Sequence, residues 1–230
     1  MTNIKHSDDL YKKFSVDLGM SFKDFYKLRV FNQMHDFDLY KGVRILKFPE
    51  DLRTYERLIE DSQPEVIVEL GVEAGGSSLW FADRLDTLCG GGQIIGVDID
   101  ISQVDQKIFD DKRITLIEGD IASPDVIQKV KELVAGRKTM IIEDAAHTYD
   151  CTLSALENYW DLVPVDSWFI VEDGIVDIEP LRHYVDTPRG VIIALEYFSI
   201  LPIGQKFSRH WLSPYGITSN PGGWLKREYK

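Results

Sequence analysis

The sequence predicts an α/β protein: a mostly parallel seven-stranded sheet with helices on both faces, preceded by an N-terminal helical extension. Three observations carry that prediction. From residue 65 onward, short continuous apolar runs alternate with helical stretches, the pattern of parallel strands covered on both faces. The first run, "VIVEL", passes directly into a glycine-rich turn, "GVEAGGS", and then into an apparent helix. Nearly every run closes on an acid, and in such sheets ligands bind outside the carboxyl ends of the strands.

Taken in order, residues 1–60 are polar and aromatic-rich and read as a helical cap, with residues 61–230 forming the α/β domain. In the cap, "SDDLYKKFSVDL" and "SFKDFYKLRVFNQM" read as helices with Ser7 and Ser21 as N-caps. "PEDLRTYERLIEDSQP" starts on Pro49, places Leu52, Tyr55, Leu58 and Ile59 on one face, and stops near Pro64. The expected strands are Val66–Leu70, Gln93–Asp98, Ile114–Glu118, Thr139–Asp144, Ser167–Glu172 and Val191–Leu195, with a last strand in "GITSNPGGWLKRE". Helices are expected over Ser77–Leu88, Pro124–Ala135 and Tyr149–Leu162. The aromatic residues Tyr197, Phe198, Phe207, Trp211 and Tyr215 read as core packing or as a surface for stacking on a ligand.

The chain's 230 residues suffice for one sizeable core. A formal net charge of −12 argues against nucleic acid or an anionic membrane as the main partner. Two cysteines, Cys89 and Cys151, make neither a disulfide framework nor a structural zinc site. No signal peptide or membrane span is legible, so the expectation is a cytoplasmic protein.

The glycine loop narrows the ligand. A triphosphate loop requires Gly-Lys-Ser/Thr, and no lysine is present here. A dinucleotide loop requires G-x-G-x-x-G, whereas Gly71, Gly75 and Gly76 spell G-x-x-x-G-G. Glu69, just before them, would repel a pyrophosphate and suits an amine or a sulfonium cation. At the end of the second run, Asp98 is placed to accept hydrogen bonds from ribose hydroxyls. "ELGVEAGGS" closely resembles the loop of class I S-adenosylmethionine-dependent methyltransferases. That resemblance implies that Glu69, Gly71, Gly75 and Ser77 hold the methionine part of the cofactor and that Asp120 lies near its adenine.

A second constellation follows. Neighbouring parallel strands lie about 4.8 Å apart, so Asp144 at one strand tip converges with Glu172 and Asp173 at the next. Three carboxylates with no adjacent Lys or Arg repel each other, and a divalent cation relieves that repulsion. All-oxygen ligands favour magnesium, calcium or manganese. Alternation turns Glu143 away from Asp144, which makes it a weaker alternative ligand. His147, in D-x-x-H beside these acids, is a candidate general base.

With "LYKGVRILKFPEDLRTYERLIEDSQPEVIVELGVEAGGSSLWFADRL", "DAAHTY", "FIVEDGI" and "TSNPGGWLKR" taken together, the chain resembles the cephalosporin hydroxylase and rhamnosyl O-methyltransferase family over roughly residues 38–230. The resemblance implies a Rossmann-like class I methyltransferase fold, S-adenosyl-L-methionine and Mg2+, and a tendency to form homo-oligomers. It is also similar to the macrocin and mycinamicin type of sugar O-methyltransferase. This assigns the metal to Asp144, Glu172 and Asp173 and the catalytic proton transfer to His147 beside Asp144. The expectation is methylation of a hydroxyl on a small molecule, a sugar or glycoside. The alternatives are an antibiotic-tailoring hydroxylase component and a non-catalytic cofactor-binding subunit. The hydroxylase lacks sequence support, since no triad of two histidines and a carboxylate is evident.

Overall fold

The computed structural model describes residues 19–28, 38–181 and 189–229. Ser7 and the helix expected after it lie outside these residues. Residues 22–28 are helical, and Ser21 caps them, its hydroxyl accepting from the Asp24 amide at 3.2 Å. A small hairpin follows, β1 (Leu39–Tyr40) and β2 (Val43–Arg44), in a region whose sequence showed no strand pattern. Helix α1 (Pro49–Ser62) begins on its proline and ends at Gln63 in the left-handed region. Its buried face comprises Asp51, Thr54, Tyr55, Leu58, Ile59 and Ser62, and Leu52 sits half-buried at the margin.

The main sheet runs in the order β5-β4-β3-β6-β7-β9-β8. Its strands are β3 (Val66–Leu70), β4 (Gln93–Asp98), β5 (Ile114–Glu118), β6 (Thr139–Glu143), β7 (Trp168–Val171), β8 (Phe207–His210) and β9 (Trp224–Arg227). Strands β5 to β7 pair in parallel, and β9 runs antiparallel to both β7 and β8. Connecting helices are α2 (Gly76–Cys89), α3 (Gln106–Asp110), α4 (Pro124–Val134), α5 (Tyr149–Tyr159) and α6 (Val191–Ile200).

Both faces of the sheet are covered, which is why its central strands read as unbroken apolar runs. On one face Ile67, Ile94, Met140 and Ile170 pack with Tyr55, Leu58, Ile59, Phe81 and Leu85 of α1 and α2. On the other, Val68, Ile95, Ile141 and Phe169 pack with Val130, Leu156, Val191 and Phe198 of α4, α5 and α6.

One expected strand is corrected. Val191–Leu195 is not a strand but the first half of helix α6, whose buried residues are Val191, Ala194, Leu195 and Phe198. That i, i+3, i+4, i+7 spacing is helical, although the β-branched start "VII" suggested a strand. The seventh strand is instead Phe207–His210, whose residues are all half-buried and carry no apolar run. Val191 follows Gly190, which sits at φ 127 and lies 2.4 Å, through its absent Cβ, from the Tyr149 amide. The starts of α5 and α6 thus cross closely there.

Order along the carboxyl rim comes from ladder bonds that continue past the strands. The amides of Gly71, Asp144 and Glu172 donate to Val97, Leu70 and Glu143 carbonyls at 2.8, 2.7 and 2.8 Å. Gly71 has φ 100, and a Cβ there would stand 2.1 Å from the Asp144 carbonyl oxygen. The loop glycines are therefore needed by the protein's own packing: at Gly76 an added Cβ would stand 2.1 Å from the Arg44 carbonyl of the hairpin. Behind the rim, α1 grips the C-terminal segment: the Asp51 carboxylate accepts from the Ser219 amide at 2.8 Å and from its hydroxyl at 2.9 Å.

Two outcomes are expected. Gly71→Ala meets both a left-handed backbone and a backbone clash, so it costs about 3 kcal/mol or more. An unchanged urea midpoint would contradict that. For Asp51, burial raises the carboxyl from 3.8 to about 6, against the pull of the Ser219 hydrogen bonds. The folded state therefore holds a proton that the unfolded chain has released, and stability falls as pH rises from about 4 to about 6. Asp51→Asn can still accept from Ser219 and removes this titration. Wild type should lose about 2–3 kcal/mol relative to the variant across that window, and parallel stability curves would refute it.

Candidate active site

A cavity of about 850 Å³ opens along the carboxyl ends of the strands. It lies at the switch point where β3 and β6 pair and the order of connections reverses. Its lining includes Gly71, Ser77, Asp98, Asp120, Asp144, His147 and Asp173. Of the residues expected at the site, Glu69, Gly75 and Glu172 do not line it.

At the glycine-loop end, Asp98 tethers the turn. Its Oδ2 accepts from the Val72 and Glu73 amides at 2.8 and 2.9 Å, and its Oδ1 accepts from the Asp100 amide at 3.1 Å. A carboxylate has about four acceptor sites, so capacity for a ribose hydroxyl remains. Asp120 Oδ1 accepts from the Ala122 amide at 2.8 Å, and its side chain borders the cavity. Gly75 packs on Ile108 with φ 89 and forms the turn into α2. Arg44 of the hairpin forms an ion pair with Glu73 at the loop's edge.

Glu69 lies beneath the loop and is fully buried. The Ser78 hydroxyl donates to its Oε2, while its Oε1 has no hydrogen-bond partner. Burial pushes its carboxyl up to about 7, with the Lys47 charge pulling the other way. A buried acceptor without a donor is costly.

At the acid end, ligand atoms of Asp144, His147 and Asp173 all lie within 4.8 Å of one another. His147 Nε2 stands 3.6 Å from Asp173 Oδ2, and its Nδ1 is buried without a partner. His147 and Asp173 both have positive φ, 55 and 54, and such strain concentrates at functional sites. Burial lowers the imidazole's proton affinity, but the surrounding charges of Asp173, Asp144, Glu143 and Glu172 outweigh it and raise the pKa above the ordinary value. Asp173 is set by the C-terminal segment, its amide donating to Asn220 Oδ1 at 3.0 Å.

Glu143 is turned to the opposite face, as alternation requires. It is buried and accepts from the Ala145 amide at 3.2 Å and the Thr152 hydroxyl at 3.1 Å.

The acids are not without a cation, contrary to the sequence expectation. Lys47, only 3% exposed, donates to Asp144 Oδ2 at 2.8 Å and to Glu172 Oε1 at 2.7 Å. Tyr55 of α1 donates to the same Glu172 oxygen at 2.6 Å. Burial would lower the Lys47 pKa, yet the charges of Asp144, Glu172 and Glu69 hold it well above the usual lysine range. Glu172 thus stands behind the cavity-facing group rather than in it. A single lysine within the apolar "RILKFP" was the available signal for Lys47: a charge set among Ile45, Leu46 and Phe48 needs a buried partner. Nothing in the sequence marks Tyr55 or Asn220 as more than packing and turn residues. The exposed aromatic residues Tyr197, Trp211 and Tyr215 do not line the cavity, and Phe198 is core.

Comparisons with known proteins identify the family of the chain and relatives of its fold. A solved CmcI structure with Mg-SAM superposes with a TM-score of 0.63 at 26% identity, covering 99% of this chain and 88% of that one. The MycE methyltransferase from the mycinamycin biosynthetic pathway, in complex with Mg, SAH and mycinamycin VI, shares the fold. Its TM-score is 0.55 at 18% identity, over 77% of this chain and 48% of its own. A rhamnosyl O-methyltransferase of Mycobacterium tuberculosis is 24% identical over 192 residues, 82% of this chain and 77% of the relative. The family model for rhamnosyl O-methyltransferase/CmcI matches residues 32–228, a span that takes in the hairpin, Lys47, the glycine loop, the acid cluster and the C-terminal strand; the chain belongs to that family.

Proposed function

We propose that this cavity carries out methylation of a small-molecule hydroxyl, on a sugar or glycoside, with S-adenosylmethionine as donor and Mg2+ at the acid cluster. The chain is an O-methyltransferase of the family named above. The observation that carries the reading is the meeting, in one cavity, of Asp144, His147 and Asp173 with the Asp98 and Asp120 end of the glycine loop.

The residues fit both groups. The carboxylates of Asp144 and Asp173, within reach of one point, suit a hard divalent cation with open positions, and His147 beside them is left to take a proton. The unpartnered Glu69 oxygen suits an ammonium, and Asp98 suits a ribose. S-adenosylmethionine supplies an electrophilic methyl group, and Mg2+ supplies Lewis acidity that makes an acceptor hydroxyl easier to deprotonate.

Asp144 and Asp173 would hold the ion from the cavity side, with Glu172 the inner ligand behind them. His147 takes the acceptor proton, and it is aimed by its loop rather than by a hydrogen bond at Nδ1. Donor and acceptor share one cavity, so two reactants are positioned together. A sugar acceptor accords with the rhamnosyl O-methyltransferase relatives, and the MycE neighbour was solved with mycinamycin VI. An oxygenase site of two histidines and a carboxylate is not assembled among the described residues, where the cluster contains one histidine.

The test is transfer of labelled methyl to a panel of sugars and glycosides with and without Mg2+. His147→Ala should lower the rate by roughly 10²–10⁴-fold while S-adenosylhomocysteine still binds with unchanged heat in calorimetry. Chelation with EDTA should abolish transfer, and restored Mg2+ should return it. A His147→Ala protein of full activity, or transfer indifferent to chelation, would sink the mechanism.

A further inference from the structure

Lys47 is a buried charged group in the site that the methyl transfer does not use. Three facts define it. Its ammonium is buried and bonded to Asp144 and Glu172 at once, at 2.8 and 2.7 Å. Tyr55 adds a donor at 2.6 Å to the same Glu172 oxygen, so that oxygen faces Lys47 and α1, not the cavity. Asp144 belongs at the same time to the cavity-facing group with His147 and Asp173.

We propose that Lys47 is a tethered cation that competes with the divalent ion for Asp144 and Glu172, so that metal binding is an exchange: the ion gains Glu172 only as the Lys47 ammonium gives it up. This rests on the reading that Asp144, Glu172 and Asp173 take a divalent cation.

The electrostatics give the direction. Buried carboxylates this close cannot all stay ionised without a positive charge among them. In the metal-free protein Lys47 supplies that charge and holds Asp144 and Glu172 in register at the strand tips. A divalent ion brought to the same acids meets a unit positive charge within a few ångströms, in surroundings that screen poorly. The lysine therefore stabilises the empty site and weakens the filled one. The released ammonium stays in the field of Glu69, whose charge already acts on Lys47. Lys47 is a positioning residue in this account: its effect on catalysis passes through the acids it holds.

The experiment titrates Mg2+ into full-length wild type, Lys47→Met and Lys47→Arg by calorimetry, and follows Mg2+-dependent thermal unfolding of each. Lys47→Met removes the competing charge and keeps the apolar stem. It should bind Mg2+ roughly ten-fold or more tightly, melt below wild type without metal, and show a larger Mg2+-induced rise in Tm. Lys47→Arg keeps the charge and should bind Mg2+ no more tightly than wild type. If Lys47→Met does not fold without metal, refolding in Mg2+ should rescue it, because the ion replaces the missing charge. Mg2+ binding by Lys47→Met that is equal to or weaker than wild type overturns the exchange, as does failure of Mg2+ to rescue a misfolded variant. Absence of Mg2+ binding to every protein, wild type included, would instead overturn the metal reading itself. Methyl transfer by wild type in Mg2+ distinguishes the two, since it survives the first failure and not the second.

Discussion

Three glutamates, Glu69, Glu143 and Glu172, are buried at the carboxyl ends of adjacent strands, and the surrounding architecture is organised around compensating them. A buried carboxylate is tolerated only with a counter-charge or donors. Each acid has its own solution. Glu172 has Lys47 and Tyr55, Glu143 has Thr152 and the Ala145 amide, and Glu69 has Ser78. The solution for Glu69 is incomplete, and the incomplete one lies under the glycine loop. Burial lifts both Glu69 and Glu143 to about 7, against the charge of Lys47 near the first and of His147 near the second.

These compensating groups come from parts of the chain far apart in sequence. Lys47 and Tyr55 precede the first strand of the sheet, while Ser219 and Asn220 follow most of it. Asp51 holds Ser219, and Asn220 holds the amide of Asp173. The two ends therefore meet behind the acid rim, and α1 is at once a wall of the hydrophobic core and a support for the site. Tyr55 does both, packing at 5.1 Å against Phe81 and at 5.2 Å against Trp224 while its hydroxyl serves Glu172. The cavity side of the rim is left to Asp144, His147 and Asp173, where positive φ at two of the three aims side chains that regular backbone would turn elsewhere.

Much of this was legible in the residues. Strands Val66–Leu70, Gln93–Asp98 and Ile114–Glu118 have the expected bounds, and Thr139–Glu143 and Trp168–Val171 are shorter by only one or two residues. Burial on both faces makes such runs continuous and easy to read. The failures have physical causes. Val191–Leu195 begins with three β-branched residues yet is helical, because α6 packs one stripe on the sheet through Val191, Ala194, Leu195 and Phe198. Phe207–His210 is a strand at the sheet's edge, half-buried throughout, and so has neither an apolar run nor clean alternation. Lys47 was missed because its partners are 97 and 125 residues away.

By itself the sequence determined the five parallel strands, the acids at their ends, the glycine turn and the histidine beside Asp144. All of these follow from local periodicity and from residue chemistry at short spacing. Only the tertiary structure decided which acids share a cavity and which are held behind it. It turned Glu172 toward Lys47 and Tyr55, and it kept Asp144 and Asp173 facing His147. It also showed that Gly71 and Gly76 are required by the Asp144 and Arg44 backbones that pass beside them. Such facts depend on contacts between segments distant in the chain, and side-chain charge is balanced in space rather than along the sequence.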